Sequence, residues 1–245
     1  MKLLDHFTRS GDLFFRWRSY LPLLLLPAFF LAAAAPPEDW SKTAETAWEL
    51  ACFGIALGGL AIRAWTVGTA PAGTSERSTR EARAASLNTT GPYSVVRHPL
   101  YLGSSVVAFG LSLFPAEWYL PVIVMMAGLL YHERIAAREE AFLEERFGDE
   151  FRSWAERVPA MVPAIGRYRA PGMKFMWGNV IGREFHGLSA AGAGFFALDT
   201  VQESSRSGSF AVSRLWAMVF AVTAGLFVLM VVLKRVFGFF RTRTV

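Results

Sequence analysis

Two apolar stretches, residues 95–114 and 118–131, are separated only by Pro115, Ala116 and Glu117. A connection that short leaves antiparallel neighbours as the solution, so the two stretches form a tight helical hairpin. Four further apolar segments lie at residues 20–35, 46–65, 185–201 and 212–240. The expected fold is therefore all-α, a polytopic integral membrane protein with about six transmembrane helices. About 15 residues of the first hairpin arm follow Pro99, against roughly 20 for a full crossing. That arm should start below the interface and leave its N-terminal end in a cavity open to the cytosol.

Composition fits that expectation. Hydrophobic residues make up 53% of the chain and charged residues 18%, below the roughly 25% of soluble domains. The net charge of +5 does not point to nucleic acid, because Lys and Arg sit in the connections, where they orient membrane proteins. Basic connections alternate with poor ones. Lys2, Arg9, Arg16 and Arg18 precede the first segment, and Arg77, Arg80 and Arg83 follow the second; residues 132–183 and the tail with Lys234, Arg235, Arg241 and Arg243 are also basic. The intervening turns carry only Lys42, none and Arg206. Both termini and the active-site mouth are thus expected in the cytoplasm. The first segment superficially suits a secretory signal, but its long charged leader and the turn at Pro36, Pro37, Glu38 and Asp39 favour a retained helix. Residues 69–90 read as a cytosolic lid or a plain linker. Cys52, the single cysteine, lies in an apolar run and reads as helix packing; Trp40, Trp118 and Trp216 read as interfacial belt residues.

The chemistry concentrates in residues 91–103, Gly-Pro-Tyr-Ser-Val-Val-Arg-His-Pro-Leu-Tyr-Leu-Gly. Ionisable groups at this depth are costly and usually functional. His98 precedes Pro99, which disfavours helical geometry at His98 and suits Pro99 to the first helical position. His98 then becomes an N-cap, and the N–H groups of Leu100 and Tyr101 remain free beside Arg97. A helix N-terminus plus a guanidinium is a receptor for a carboxylate or phosphate. The bland alternative is that Arg97 snorkels to headgroups and His98 merely caps. Gly103 leaves room for close approach by a ligand or a neighbouring helix.

Arg134, Arg138, Glu139 and Glu140 follow near the end of the second hairpin arm, so two charged patches can meet at one membrane face. Glu144 and Glu145 read as a solvated face. Leu143, Phe147, Phe151, Trp154 and Val158 form an apolar stripe, interrupted where Gly148 ends one helix and Asp149 caps the next. His132 and Glu133 lack a second histidine at ligand spacing, so no metal is expected.

The pattern Leu87-x-x-x-Gly91-Pro92-Tyr93-x-x-x-Arg97-His98-Pro99-x-Tyr101-x-Gly103, followed by Glu139-Glu140-x-x-Leu143-x-x-x-Phe147-Gly148-x-x-Phe151-x-x-Trp154 and Val158-Pro159 to Pro163, resembles the isoprenylcysteine carboxyl methyltransferase family. It is similar as well to the phospholipid N-methyltransferases. The likeness covers roughly residues 46–165. It implies a membrane helix and turn over residues 1–45, a methyltransferase core over 46–170 and two added membrane helices over 171–245. It also implies S-adenosyl-L-methionine as cofactor, with a lipid or lipidated acceptor entering from the bilayer. The cofactor-binding candidates are Leu87, Tyr93, His98, Pro99, Tyr101, Glu139 and Glu140; Arg97 and Arg134 correspond to basic residues near the methyl-accepting group. Phe151 and Trp154 depart from the family, which commonly has tyrosines there.

Elementary chemistry agrees with this assignment. A zwitterionic amino-acid end needs a carboxylate for its ammonium and a cationic or N–H partner for its carboxylate; Glu139 or Glu140 and His98 supply them. An oxygen acceptor already anionic at pH 7 needs no strong base, so Arg97 and Arg134 only orient it. A lipid phosphate leads as acceptor, a prenylcysteine carboxylate follows, and an ethanolamine amine ranks third because it suits an arginine-lined site poorly. The competing classes are an NADPH-dependent membrane reductase, whose usual Asn and Glu are replaced here by Leu100 and Ser104, and a transporter or scaffold, for which no repeated halves are seen.

Overall fold

The computed structural model describes residue 17 and residues 20–35, 40–70 and 86–236. The basic N-terminal leader, the turn at Pro36–Asp39, most of the expected lid (residues 71–85) and the tail beyond residue 236 lie outside the described residues.

The described residues are helical, without a named strand. A 3-10 stretch, Leu21–Leu25, leads into α1 (Leu26–Ala33). It is followed by α2 (Lys42–Thr69), α3 (Pro99–Leu113), α4 (Tyr119–Phe147), the short α5 (Asp149–Ala155), α6 (Trp177–Ser207) and α7 (Arg214–Val236). Each of the six apolar segments read from the sequence overlaps one of these helices within the described residues. Three helices, α2, α4 and α7, are long and apolar enough to cross a membrane; the stretch Leu21–Ala33 and α3 are apolar but shorter. α6 is long, yet Arg183, Glu184 and Asp199 interrupt its apolar run.

Several helices outrun their apolar segments. α2 begins at a Ser41 cap whose hydroxyl accepts from the Ala44 N–H. It also continues past Trp65, the expected end of the second apolar segment, to Thr69. There Thr66 and Thr69 return their hydroxyls to the Ile62 and Trp65 carbonyls, so the helix absorbs their polarity. α4 extends through the charged residues 132–147, and α6 begins well before residue 185. The tight hairpin is as expected, with Ala116 in the left-handed region (φ 62°). Gly148 (φ 52°, ψ −122°) both ends α4 and caps α5, which places Asp149 inside the first turn of α5 instead of at the cap.

Small residues set the packing of α2 on α3. A Cβ added at Gly59 would lie 2.6 Å from the Gly103 carbonyl oxygen, and one at Gly110 would lie 2.6 Å from the Cys52 carbonyl oxygen. Backbone therefore meets backbone along this seam, the close approach that small residues permit between membrane helices. Gly103 receives a helix, α2. At the far end from His98, Trp216, Phe114, Phe195 and Cys52 form a fully buried core. This corrects the belt expectation for Trp216: its ring stacks on Phe195 and its indole N–H donates to Glu49 at 2.9 Å. Sequence position alone did not reveal that a carboxylate in α2 would hold it inside.

Candidate active site

The site is built on the turn that feeds α3. Gly91 adopts φ 60°, opening the 3-10 turn Pro92–Ser94, and the Ser94 hydroxyl donates to the Gly91 carbonyl at 2.7 Å. His98 occupies the cap position of α3 with a non-helical backbone (φ −121°, ψ 63°), as the following proline demands. Its side chain does not cap. The Tyr101 and Leu102 N–H groups both donate to the His98 carbonyl at 3.1 Å, so the expected free N–H of Tyr101 is engaged. The His98 imidazole is left to reach across the hairpin.

There it meets α4. His98 Nε2 lies 2.7 Å from Glu140 Oε1, and Arg97 Nη1 donates to Glu140 Oε2 at 2.9 Å. One carboxylate is thus held at both oxygens by two consecutive residues. The neighbouring Glu139 accepts from the Tyr101 hydroxyl at 2.5 Å, with His98 Nδ1 3.8 Å from its other oxygen. The hairpin accordingly brings together Arg97, His98, Tyr101, Glu139 and Glu140. Arg97 faces a carboxylate where the sequence suggested a receptor for an external anion. One of its donors, Nε, is buried and without a hydrogen-bond partner, a costly condition for a group of this kind.

The remaining sequence candidates sit around this cluster. Pro99 is fully buried at the first position of α3. Leu87 and Tyr93 pack on the buried group of Phe151, Trp154 and Val158, and the Trp154 indole donates to the Tyr93 carbonyl at 3.1 Å. The apolar stripe of α4 and α5 is thus the platform under the 87–93 approach to the site. Arg134 is half-buried on α4, less than two turns before Glu140.

Two sets of contacts escaped the sequence reading. His132 is buried, stacks on Tyr101 with ring centres 5.0 Å apart, and lies 3.1 Å through Nδ1 from the Ser105 hydroxyl. Tyr101 is sandwiched, since its ring also stacks with His98 at 5.5 Å. Behind α3, Arg63 forms a two-pronged pair with Glu184, at 2.8 and 3.1 Å, and donates to the Ser104 hydroxyl at 2.7 Å. The available signal was an arginine near the end of an apolar helix.

A bundle of apolar helices with a histidine–arginine–carboxylate cluster at the mouth of a hairpin defines a membrane-embedded helical protein with a polar site at one end. Residues 50–150 match the phospholipid methyltransferase family. Over 79 residues the chain is 29% identical to the protein-S-isoprenylcysteine O-methyltransferase of Schizosaccharomyces pombe, covering 32% of this chain and 34% of that protein. Over this core the chain is therefore similar to the isoprenylcysteine carboxyl methyltransferase and phospholipid methyltransferase superfamily. It is also 34% identical over 88 residues to the nickel-cobalt-cadmium resistance protein NccN of Alcaligenes xylosoxydans xylosoxydans, covering 36% of this chain and 41% of that protein. With the cobalt-zinc-cadmium resistance protein CzcN of Cupriavidus metallidurans it shares 34% identity over 83 residues, covering 34% and 38%. The chain spans less than half the length of each of these relatives. No solved structure matches it.

Proposed function

We propose that this chain is an integral-membrane methyltransferase that uses S-adenosyl-L-methionine to methylate an oxygen of a membrane lipid or lipidated acceptor. The observation that carries the reading is the convergence of Arg97, His98 and Tyr101 on Glu139 and Glu140 at one end of the hairpin. The cluster suits the donor's zwitterionic amino-acid end, because carboxylates and cationic or N–H donors stand side by side. The unbonded Arg97 Nε is a donor still to be matched, and Glu139 keeps acceptor capacity beyond its bond from Tyr101.

S-adenosyl-L-methionine supplies an electrophilic methyl group on a sulfonium. The protein's part is binding and orientation. Glu139 and Glu140 hold an ammonium, His98 receives a carboxylate and Arg97 steadies Glu140; Leu87, Tyr93, Pro99 and Tyr101 complete the cofactor's surroundings. Arg97 and Arg134 orient an anionic acceptor, whose charge at pH 7 makes a strong base unnecessary. Excluding water and holding the reacting groups together provide most of the rate. A lipid phosphate is the leading acceptor. A prenylcysteine carboxylate is second, supported by the similarity to the S. pombe protein-S-isoprenylcysteine O-methyltransferase; an amine headgroup is third. Both termini and the mouth of the site are assigned to the cytoplasm from the loop charges, with residues 46–170 as the catalytic unit.

Calorimetry in detergent with S-adenosylhomocysteine and with NADPH tests the cofactor: binding of the first and not the second is expected, and the reverse makes the chain a reductase. Methyl-labelled donor and membrane lipid extract test the acceptor. Label should enter the lipid fraction, and its release by mild base or phosphatase treatment separates a carboxyl ester from a phosphate ester.

A further inference from the structure

Between α5 and α6 the chain runs without a long helix through residues 156–176, and this strap is stitched to the site turn by its backbone. The Arg97 N–H donates to the Pro159 carbonyl at 2.9 Å, the Ala164 N–H to the Val95 carbonyl at 2.8 Å and the Gly91 N–H to the Arg169 carbonyl at 2.8 Å. The Arg169 N–H donates to the Ser94 hydroxyl at 2.8 Å. Every stretch of the turn that aims Arg97 and His98 is therefore anchored to the strap.

The strap also has a fixed height. Its last residue, Met176, donates its N–H to the Gly68 carbonyl at 2.8 Å, in the last turn of α2. A helix of 28 residues is about 42 Å long, against roughly 30 Å of hydrocarbon. The final turn of α2, and the strap with it, thus lies at the headgroup level.

The outer face of the strap has the composition that such a level selects. Val162 is 77% exposed, Ile165 80% and the adjoining Trp177 68%. Around them Arg157, Arg167, Arg169 and Lys174 are exposed, against one acid, Glu156. Apolar tips set among basic residues bind an interface carrying negative charge.

We propose that this strap is a docking surface for anionic phospholipid headgroups, which seat Val162, Ile165 and Trp177 at the boundary and pair with Arg157, Arg169 and Lys174, and that this contact holds the Gly91–Arg97 turn in its site geometry. The surface rests on the membrane reading of the chain; its effect on the cofactor site rests on the proposed methyltransferase function.

The test uses the full chain with Ile165→Cys carrying an environment-sensitive fluorophore; Cys52 is fully buried and stays unlabelled. Nanodiscs of phosphatidylcholine alone are compared with nanodiscs that also contain phosphatidylglycerol. A blue shift of the label is expected only with the anionic lipid, reversed by salt and lost in R157Q/R169Q/K174Q. S-adenosylhomocysteine affinity should rise at least about fivefold with anionic lipid, the worth of one basic residue near a charged leaflet, and not in the triple variant. Equal emission in both lipids overturns the docking surface, as does a shift that the triple variant retains, which would mean apolar insertion or contact with a second copy. A charge-dependent shift with unchanged cofactor affinity overturns the coupling to the site. Absence of S-adenosylhomocysteine binding in every lipid, with the shift intact, overturns the methyltransferase reading and leaves the docking surface standing.

Discussion

The Arg63–Glu184 and Arg97–Glu140 pairs lie on either side of α3, and they differ in completeness. Arg63 and Glu184 form a two-pronged pair, with the Ser104 hydroxyl taking a further donor. Arg97 and Glu140 share one direct bond at 2.9 Å, His98 competes for the same carboxylate, and the guanidinium Nε has no partner. The first pair joins α2 and α3 to α6 and is closed on itself. The second lies between the arms of the hairpin and keeps unspent hydrogen-bonding capacity. A satisfied buried pair fixes a structure, whereas an incompletely satisfied one is where a ligand finds partners.

Removing one partner from the closed pair should have the largest effect. Arg63→Met strands Glu184, and Glu184→Met strands Arg63; each should cost about 3–5 kcal/mol of stability, read as a lowered midpoint in detergent unfolding. The double variant should recover most of that loss. If the single variants unfold like the wild type, the pair is not the clamp that the geometry suggests.

Changes at the open pair should act on binding. His98→Ala and Glu140→Gln should each weaken S-adenosylhomocysteine by about 1.5–3 kcal/mol, tenfold or more, with the purified protein still monodisperse. Wild-type affinity in both would remove this cluster from the cofactor site. Next in size, Arg97→Lys and Arg134→Lys keep the charge but lose the guanidinium fork, so methyl transfer should fall at least tenfold, about 1.4 kcal/mol in the barrier, with little change in cofactor affinity. Full activity in both would make them orientation charges. The smallest effect is expected behind the site: Ser105→Ala removes the hydrogen bond to His132 Nδ1 and should cost about 0.5–1.5 kcal/mol of stability, measured by the same unfolding transition.

Much of the site was legible because its parts announce themselves locally. Pro99 fixes the start of α3, three residues set the hairpin, and an adjacent Glu-Glu pair near the end of the second arm has a charged turn to meet. The closed pair was not legible. Nothing in sequence ties Arg63 to Glu184, and the register of α6 on α2 depends on packing across the whole bundle. Helix ends were misplaced for a related reason. Thr66 and Thr69 look like loop residues, but each bonds its own helix, so polarity did not mark the boundary. His98 was correctly placed at the cap position of a helix start; its imidazole reaches a carboxylate across the hairpin that no local pattern reveals.

The glycine seam between α2 and α3 has a mechanical consequence. Because Gly59, Gly103 and Gly110 bring backbone against backbone, α3 cannot slide along α2 without driving a side chain into a peptide group. The two helices travel as a unit, and α2 acts as a dipstick whose hydrophobic length sets how deep Arg97 and His98 ride. A thicker or thinner bilayer is met by tilting that unit, so membrane thickness governs the height of the Arg97–His98 turn relative to the headgroups.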